Sequence, residues 1–458
     1  MNICASEQRF WGKTDAETIQ NAVDFAEKTG LGEVIIPRRN ERTGENIWII
    51  DKAVLLPSDM TVIVDNAHLR LADGVYENIF RNRNCRTPEG NTMDGEQFGI
   101  NILGRGNALL DGGEHNGLVE QMHRDDPVKY PKLSVNLLIF FHNVRNFRVE
   151  GLNIVRSRWW SMCFIYCKWG HISDIDFRLY ADHENQDGID LRVGCEYITI
   201  ENITGCTGDD TIAMTALPMD DLVPENELSV EGKSVNIHNI IIRNVISASH
   251  GCALVRFLCE DGAKIHHVLV DGLQDTGESV SGAAVFMGVG STRFVKDHAH
   301  VMGDLRNITL RNIVTHGQRG LSLCEPVQDL LIENLDVSGR SEVGIRMLSN
   351  FACDNFTLRN FTFRGDPAYA DTLFFVAPEV PENLQGFKAE NVTAHTVKHI
   401  FRRGQFPVED LRYENLTEEY FSNEKLDLTS VYGLYHRCSY GKVIENRAAG
   451  SRFEGEKK

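Results

Sequence analysis

Between residues 149 and 416 one four-residue pattern recurs: an apolar residue, a polar one, then Asn, Gly or Asp, then an apolar one. It reads VEGL at 149–152, ISDI at 172–175, IENI at 200–203, IRNV at 242–245 and VDGL at 270–273. It continues as LRNI at 310–313, IENL at 332–335, LRNF at 358–361, AENV at 389–392 and YENL at 413–416. Successive starts lie 23, 28, 42, 28, 40, 22, 26, 31 and 24 residues apart, so the shortest coil is 22 residues and longer intervals carry insertions. The third position is Asn in seven of the ten copies, and Asn, Asp and Gly tolerate the left-handed backbone. Each copy therefore predicts a short strand, a tight corner and another short strand. Recurrence at such intervals predicts a stacked architecture. Strand units without helices predict a parallel β-helix, in which equivalent residues sit one rung apart, about 4.8 Å. Stacked Asn side chains then hydrogen-bond along the axis. That ladder accounts for the six Asn-x-Ser/Thr sequons, as at Asn202 and Asn391. Leucine-rich repeats need regular Leu spacing, and a propeller needs a stricter period.

The N-terminal region differs. Asp15 fits an N-cap, and AETIQNAVDFAEKTG fits a helix ended by Gly30. GEVIIP at 32–37 reads as a strand, and TVIVD, HLRLADG and INILGRGNALLDGG as earlier coils. The helix is expected to cap the open end of the stack, which otherwise exposes strand edges. After about residue 420 the pattern fades, and the tail SRFEGEKK is expected to fray. The expectation is one all-β domain over 1–458: cap and first strands at 1–60, coils at 61–420, C-terminal cap and tail at 421–458.

Composition narrows the partners. A net charge of −18 and a pI near 5.4 argue against nucleic acid. They also mean that an acidic substrate needs local cations. The segment MNICASEQRFWGKTDAETIQ lacks the apolar core and basic flank of a signal peptide, and no run of 18 apolar residues exists. Eleven cysteines without a CxxC pair predict buried thiols in a reducing compartment. A cytoplasmic protein without membrane or nucleic-acid partners and without a cofactor is expected; the sequence leaves its oligomeric state open, with a monomer slightly favoured.

Acidic residues concentrate in two neighbouring rungs, HENQDGIDL at 183–191 and TGDDTIAM at 207–214. Asp187 and Asp209 are 22 residues apart, the shortest coil length, which puts them on one face of adjacent rungs with Asp210 beside them. The Asp209–Asp210 pair is expected where the coil turns into its strand, with both side chains outside the core. Mutual repulsion of three carboxylates raises at least one pKa. Glycoside hydrolysis needs this: one carboxyl protonated to donate to the leaving oxygen, another ionised to activate water. Such a cluster also suits calcium, but no metal is assigned. A third rung carries SASHGCALVR at 247–256, where His250 is placed to tune the acid and Gly251 lets the backbone approach substrate. The polar segment LPMDDLVPENELSVEGK at 217–233 reads as an inserted loop walling a cleft.

These motifs resemble glycoside hydrolase family 28, the polygalacturonases and their relatives. The family order is Asn-Thr-Asp, Asp-Asp, Gly-His-Gly, then Arg-Ile-Lys. NQDGIDL is similar to the first, with Gln186 for Thr; GDDTIAM to the second; SHGCALV to the third, with Ser249 for the first Gly. RWWSMCFIYC at 158–167 is similar to the coil before the site. The resemblance implies a right-handed parallel β-helix, general acid Asp209, water activation by Asp187 and Asp210, support of the acid by His250, and inversion at the anomeric carbon. It also implies that Asn185 fixes the first loop. The fourth motif is missing: near 281–293 the chain has Val-Phe-Met in place of Arg-Ile-Lys. In the family that cationic pair holds the galacturonate carboxylate. Arg256, Arg293 and Lys296 are the candidate substitutes; otherwise the subsite takes a neutral sugar against Phe286 and Met287. The resulting expectation is an exo-acting inverting glycosidase on pectin-derived or related oligosaccharides. Its rivals are a lyase or epimerase on the same scaffold, and a carbohydrate-binding β-helix without catalysis.

Overall fold

The left-handed corners are where the repeat put them. The third residue of nine copies adopts positive φ: Gly151, Asp174, Asn202, Asn244, Gly272, Asn312, Asn334, Asn360 and Asn391, all between 52° and 83°. A second column of corners lies five residues earlier, at Asn146, Trp169, Tyr197, Asn239, His267, Asn307, Asp329, Asn355 and Gly386. The repeating unit is therefore a long strand broken twice. Both break points drop out of the pairing register, as at Trp169 and Asp174 in Lys168–Arg178.

The computed structural model describes residues 3–113, 137–180, 185–219, 228–276, 282–289, 294–348, 350–377, 380, 384 and 386–402, together with 408–416 and 443–445. The C-terminal tail and most of its expected cap lie outside the described residues. Among the described residues the strand ladders are parallel, and the fold is a right-handed parallel β-helix. The chain separates into two compact units, Met1–Ile241 and Ile242–Lys458.

In the first unit, Glu33–Pro37 pairs with Thr61–Asp65, which pairs in turn with Asn101–Arg105. Val144–Glu150, Lys168–Arg178 and Glu196–Thr207 continue that wall. The opposing wall runs through Val54–Leu56, Phe80–Asn82, Ile139–His142, Met162–Ile165, Ile189–Arg192 and Ile212–Ala216. Alternation sends one set of side chains into the coil interior, where Phe141, Phe147 and Phe164 pack at centroid separations of 5.1–5.8 Å. A second apolar cluster holds Phe140, Cys163, Ile165, Trp159, Tyr166 and Val193 with Leu228 and Val230. The last two belong to the segment read as an inserted loop, so its described end is packed down.

The helix is Asp15–Thr29, closed by Gly30 at φ 65°. Its cap differs from the expectation: the N-cap is Thr14, whose Oγ1 accepts from the Glu17 amide at 3.2 Å, while the Glu17 carboxylate reaches back to the Lys13 amide. Asp15 is instead buried. Its carboxylate accepts from Asn40 Nδ2 at 2.6 Å, from the Ile49 amide at 2.8 Å and from Arg42. Ala16, Ile19, Ala22, Val23 and Ala26 are buried, and the helix lies against Glu33–Pro37, Trp48–Ile50 and Val54–Leu56, as a cap requires.

The second unit repeats the plan with Ile265–Asp275, Leu305–Thr315, Val327–Gly339, Cys353–Gly365 and Phe387–Val397. Facing them are Ala253–Cys259, Ala283–Met287, Arg319–Leu323, Val343–Met347, Thr372–Val376 and His399–Arg402. Its Asn ladder is continuous. Asn334 Nδ2 donates to Asn312 at 2.9 Å, Asn360 to Asn334 at 2.9 Å and Asn391 to Asn360 at 2.8 Å. This is the structural cause of the sequons at Asn360 and Asn391. Asn334→Ala forces a Cβ-bearing residue without local hydrogen bonding into the left-handed region and breaks two rungs. It is expected to cost about 2 kcal/mol, and Asn334→Gly only about half of that. Equal costs in chemical denaturation contradict the strain component.

Ten of the eleven cysteines lie among the described residues as thiols, eight of them buried. No helix among the described residues is long and apolar enough to cross a membrane.

Candidate functional site

The first unit brings three candidate carboxylates together with a fourth. The rungs Ile189–Arg192 and Ile212–Ala216 pair Ile189 with Ile212, a step of 23 residues. The expected step of 22 therefore slips by one, and Asp187 lies over Asp210. The Gly188 amide donates to the Asp210 carbonyl at 2.9 Å, and the Ile189 amide to the Thr211 carbonyl at 3.0 Å. Gly188 is required by this approach, since a Cβ there lies 2.5 Å from the Thr211 carbonyl oxygen. On the other side the Asp187 carbonyl accepts from the Ser161 amide and from Ser161 Oγ, both at 2.9 Å.

The Asp209–Asp210 pair sits in the bend between Glu196–Thr207 and Ile212–Ala216, where the coil turns into its strand. Backbone groups of Asp209 and its neighbours hold the bend. The Gln186 carbonyl accepts from the Gly208 amide at 3.0 Å and the Asp209 amide at 3.3 Å, and Thr207 Oγ1 donates to the Asp209 carbonyl at 2.9 Å. Gln186 is itself buried and tied by Nε2 to the Ser157 carbonyl at 2.7 Å. Asn185 opens this turn at φ 52°. Asp209 is partly exposed, whereas Asp210 is 9% and Asp187 5% exposed.

Asp190 and Arg192 complete the group, and sequence reasoning passed over both. They lie on alternate positions of Ile189–Arg192 and are 1% and 2% exposed. The signal was present: two charged residues at period two in IDLR, on the face opposite Ile189 and Leu191. The Arg192 guanidinium lies 4.8 Å from the centre of the Trp160 ring. Burial pushes the Asp187 carboxyl well above the usual range, and the charges of Asp190, Asp209 and Asp210 add to the push while Arg192 opposes it. Burial also raises Asp190, against the pull of Arg192. Asp187 Oδ1 and Asp190 Oδ2 have no hydrogen-bond partner among the described residues, so neutral carboxyls are the cheaper state here.

The other candidates belong to the second unit. His250 and Gly251 follow the strand Ile237–Ser249, with His250 half-buried and Gly251 exposed. Arg256 lies in Ala253–Cys259 and is 6% exposed. Arg293 lies outside the described residues. Lys296 is on a surface turn, its amide bound to the Asp261 carboxylate at 3.0 Å.

The family model for glycosyl hydrolases family 28 matches residues 99–220. A probable polygalacturonase of Arabidopsis thaliana is 36% identical over 74 residues, which is 16% of each chain. The chain thus spans only 16% of the length of that curated relative. Among solved structures, the family 28 exopolygalacturonase of Yersinia enterocolitica has 14% identity and a TM-score of 0.50, with 99% of this chain and 79% of that one covered. The A-module of the mannuronan C-5 epimerase AlgE4 of Azotobacter vinelandii has 13% identity and a TM-score of 0.55, with 95% and 100% covered. At these identities the structural likenesses show the fold. The family match spans both carboxylate motifs and ends before the rung of His250, so the likeness to glycosyl hydrolases family 28 is carried by residues 99–220.

Proposed function

We propose that the protein is an inverting glycoside hydrolase, exo-acting on pectin-derived or related oligosaccharides. Asp209 donates a proton to the leaving glycosidic oxygen. Asp187 and Asp210 orient a water, and the pair takes its proton in the microstate that leaves one of the two ionised. His250 supports the acid, Asn185 holds the first turn, and Gly251, Arg256 and Arg293 contact sugar. One observation carries the reading: Asp187 is buried over Asp210 and within charge reach of Asp190 and Asp209. Crowded carboxylates titrate as a unit and keep a proton where isolated ones are ionised. That supplies a proton donor and an ionised base in one patch. Asp209 suits the donor role because it is the most exposed of the four. Inversion follows from a base that activates water rather than attacking the sugar.

A lyase or epimerase on this scaffold needs a base beside the uronate α-proton with its carboxylate neutralised. A binding module needs no proton-holding group at all. The test is incubation with a panel of pectic oligosaccharides and aryl glycosides, with and without a chelator, following reducing ends and the ultraviolet absorbance of unsaturated uronides. Hydrolysis predicts new reducing ends, no unsaturated product and no effect of chelator. Unsaturated product, or no product from any panel member, overturns the reading.

A further inference from the structure

Three turns of the first unit lead into consecutive strands of one sheet: Met162–Ile165, Ile189–Arg192 and Ile212–Ala216. Asp187 lies in the second turn and Asp209 in the third, both ahead of the strands. Strand pairing alone therefore does not fix one carboxyl against the other.

A buried ring of hydrogen bonds does. Gln186 Nε2 donates to the Ser157 carbonyl at 2.7 Å. Asp187 follows Gln186 in the chain, and its carbonyl accepts from Ser161 Oγ at 2.9 Å. Ser157 Oγ and Ser161 Oγ are 2.6 Å apart. The Ser161 proton is committed to Asp187, so Ser157 supplies the one between the two hydroxyls. The ring through Ser157, Gln186, Asp187 and Ser161 is thus closed across two coils. The third coil is attached to it, because the Gln186 carbonyl accepts from the Gly208 amide at 3.0 Å and the Asp209 amide at 3.3 Å. Ser157, Ser161 and Gln186 are fully buried, where the low dielectric strengthens each hydrogen bond.

Reach accounts for the residue type. Adjacent coils are about 4.8 Å apart, and the tether must cross that gap. A Thr at position 186, as in the family motif, carries its hydroxyl two bonds short of the Gln Nε2. The stability gained is modest. Gln186 Oε1 is buried with no hydrogen-bond partner among the described residues, and an unpartnered buried oxygen offsets what the Nε2 bond contributes. The tether adds geometry more than stability.

We propose that Gln186, closed into a ring with Ser157 and Ser161, is the positioning residue that sets the distance between the proton donor Asp209 and the water-activating Asp187. That distance decides whether a water fits beside the base, and a displacement of about 1 Å is worth about a hundredfold in rate. The roles of the two carboxyls rest on the glycosidase reading; their spacing rests on the ring alone.

The test compares the parent protein with Gln186→Met, which has the same length and no donor. Its kcat is expected to fall by about tenfold to a hundredfold with KM unchanged. The charges of Asp190, Asp209 and Asp210 crowd Asp187, and Arg192 opposes them. A looser cluster holds its proton less firmly, so the alkaline limb of the pH–rate profile is expected to move to lower pH. Thermal midpoints across pH read the same spacing without substrate. The parent loses stability as pH rises through the window in which Asp187 gives up its proton, and Gln186→Met is expected to lose less. A residue that only stabilises the fold shifts the midpoints equally at every pH and leaves the limb in place. Ser161→Ala opens the ring at another bond and is expected to move all these readouts the same way. It decides if Gln186→Met does not fold by circular dichroism. Ser161→Thr, with its hydroxyl kept, is expected to retain more turnover than Ser161→Ala. Unchanged kcat, a raised KM in place of a lowered kcat, or parallel midpoint curves overturns the positioning role. If no substrate is hydrolysed by the parent, the midpoint curves decide alone: a weaker pH dependence in Gln186→Met keeps the ring and removes the glycosidase reading. Hydrolysis by the parent with parallel curves does the reverse.

Discussion

Asp209→Asn is expected to lower turnover by about 10²–10⁴-fold while the thermal midpoint and the KM of the parent substrate stay close to those of the parent protein. The size follows from the role. A general acid acts in the transition state, so its loss falls on kcat rather than on ground-state binding. The unchanged fold follows from the bend. The Asp209 backbone is held by the Gln186 carbonyl and by Thr207 Oγ1, and these contacts do not pass through its carboxylate. An amide of the same shape keeps them. The split between kcat and KM separates an acid from a sugar-contacting residue, whose loss raises KM. An aryl glycoside with a good leaving group is expected to rescue the variant in part, because such a leaving group needs no proton. Unchanged turnover removes Asp209 from the acid role.

Asp187→Asn is expected to lose turnover by about 10²–10⁴-fold as well, but to gain stability at neutral pH. The sign follows from the carboxyl's position. Burial and the charges of Asp190, Asp209 and Asp210 raise its pKa in the folded protein above the unfolded value of about 3.9. The folded state then binds more protons than the unfolded state between those two pKa values. Stability falls as pH rises through that window, and at neutral pH the burial of Asp187 opposes folding. The amide removes that opposition. The gain over the parent is therefore largest at and above neutral pH and fades below the unfolded pKa. Thermal midpoints of parent and variant across pH measure it. Curves that stay parallel at all pH values contradict a raised Asp187. Asp190→Asn tests the same physics one position along. There too the Arg192 charge opposes the rise.

Much of the coil architecture was legible because Asn and Gly report a backbone conformation directly. A residue that recurs at left-handed corners is visible without any partner. The second column was harder to read, because Trp169, Tyr197 and His267 interrupt its Asn, Asp and Gly corners. These three sit there because the coil must bend twice. The cap at Thr14 rather than Asp15 shows a similar ambiguity. Both residues are good N-caps, and only the burial of Asp15 against Asn40, Arg42 and Ile49 assigns them. At the candidate site, the neighbourhood of Asp187 and Asp210 followed from coil length, but a one-residue difference in register decides which Asp lies over Asp187. Asp190 and Arg192 read as ordinary strand polar residues until burial shows otherwise.

The proposed carboxylate chemistry breaks a glycosidic bond with inversion, and proton NMR of the first product formed from an α-linked pectic oligosaccharide reads that outcome. The β-anomer is expected to appear first, with the α-anomer following only by mutarotation. An α-anomer formed first, or an unsaturated product in place of a reducing sugar, contradicts it.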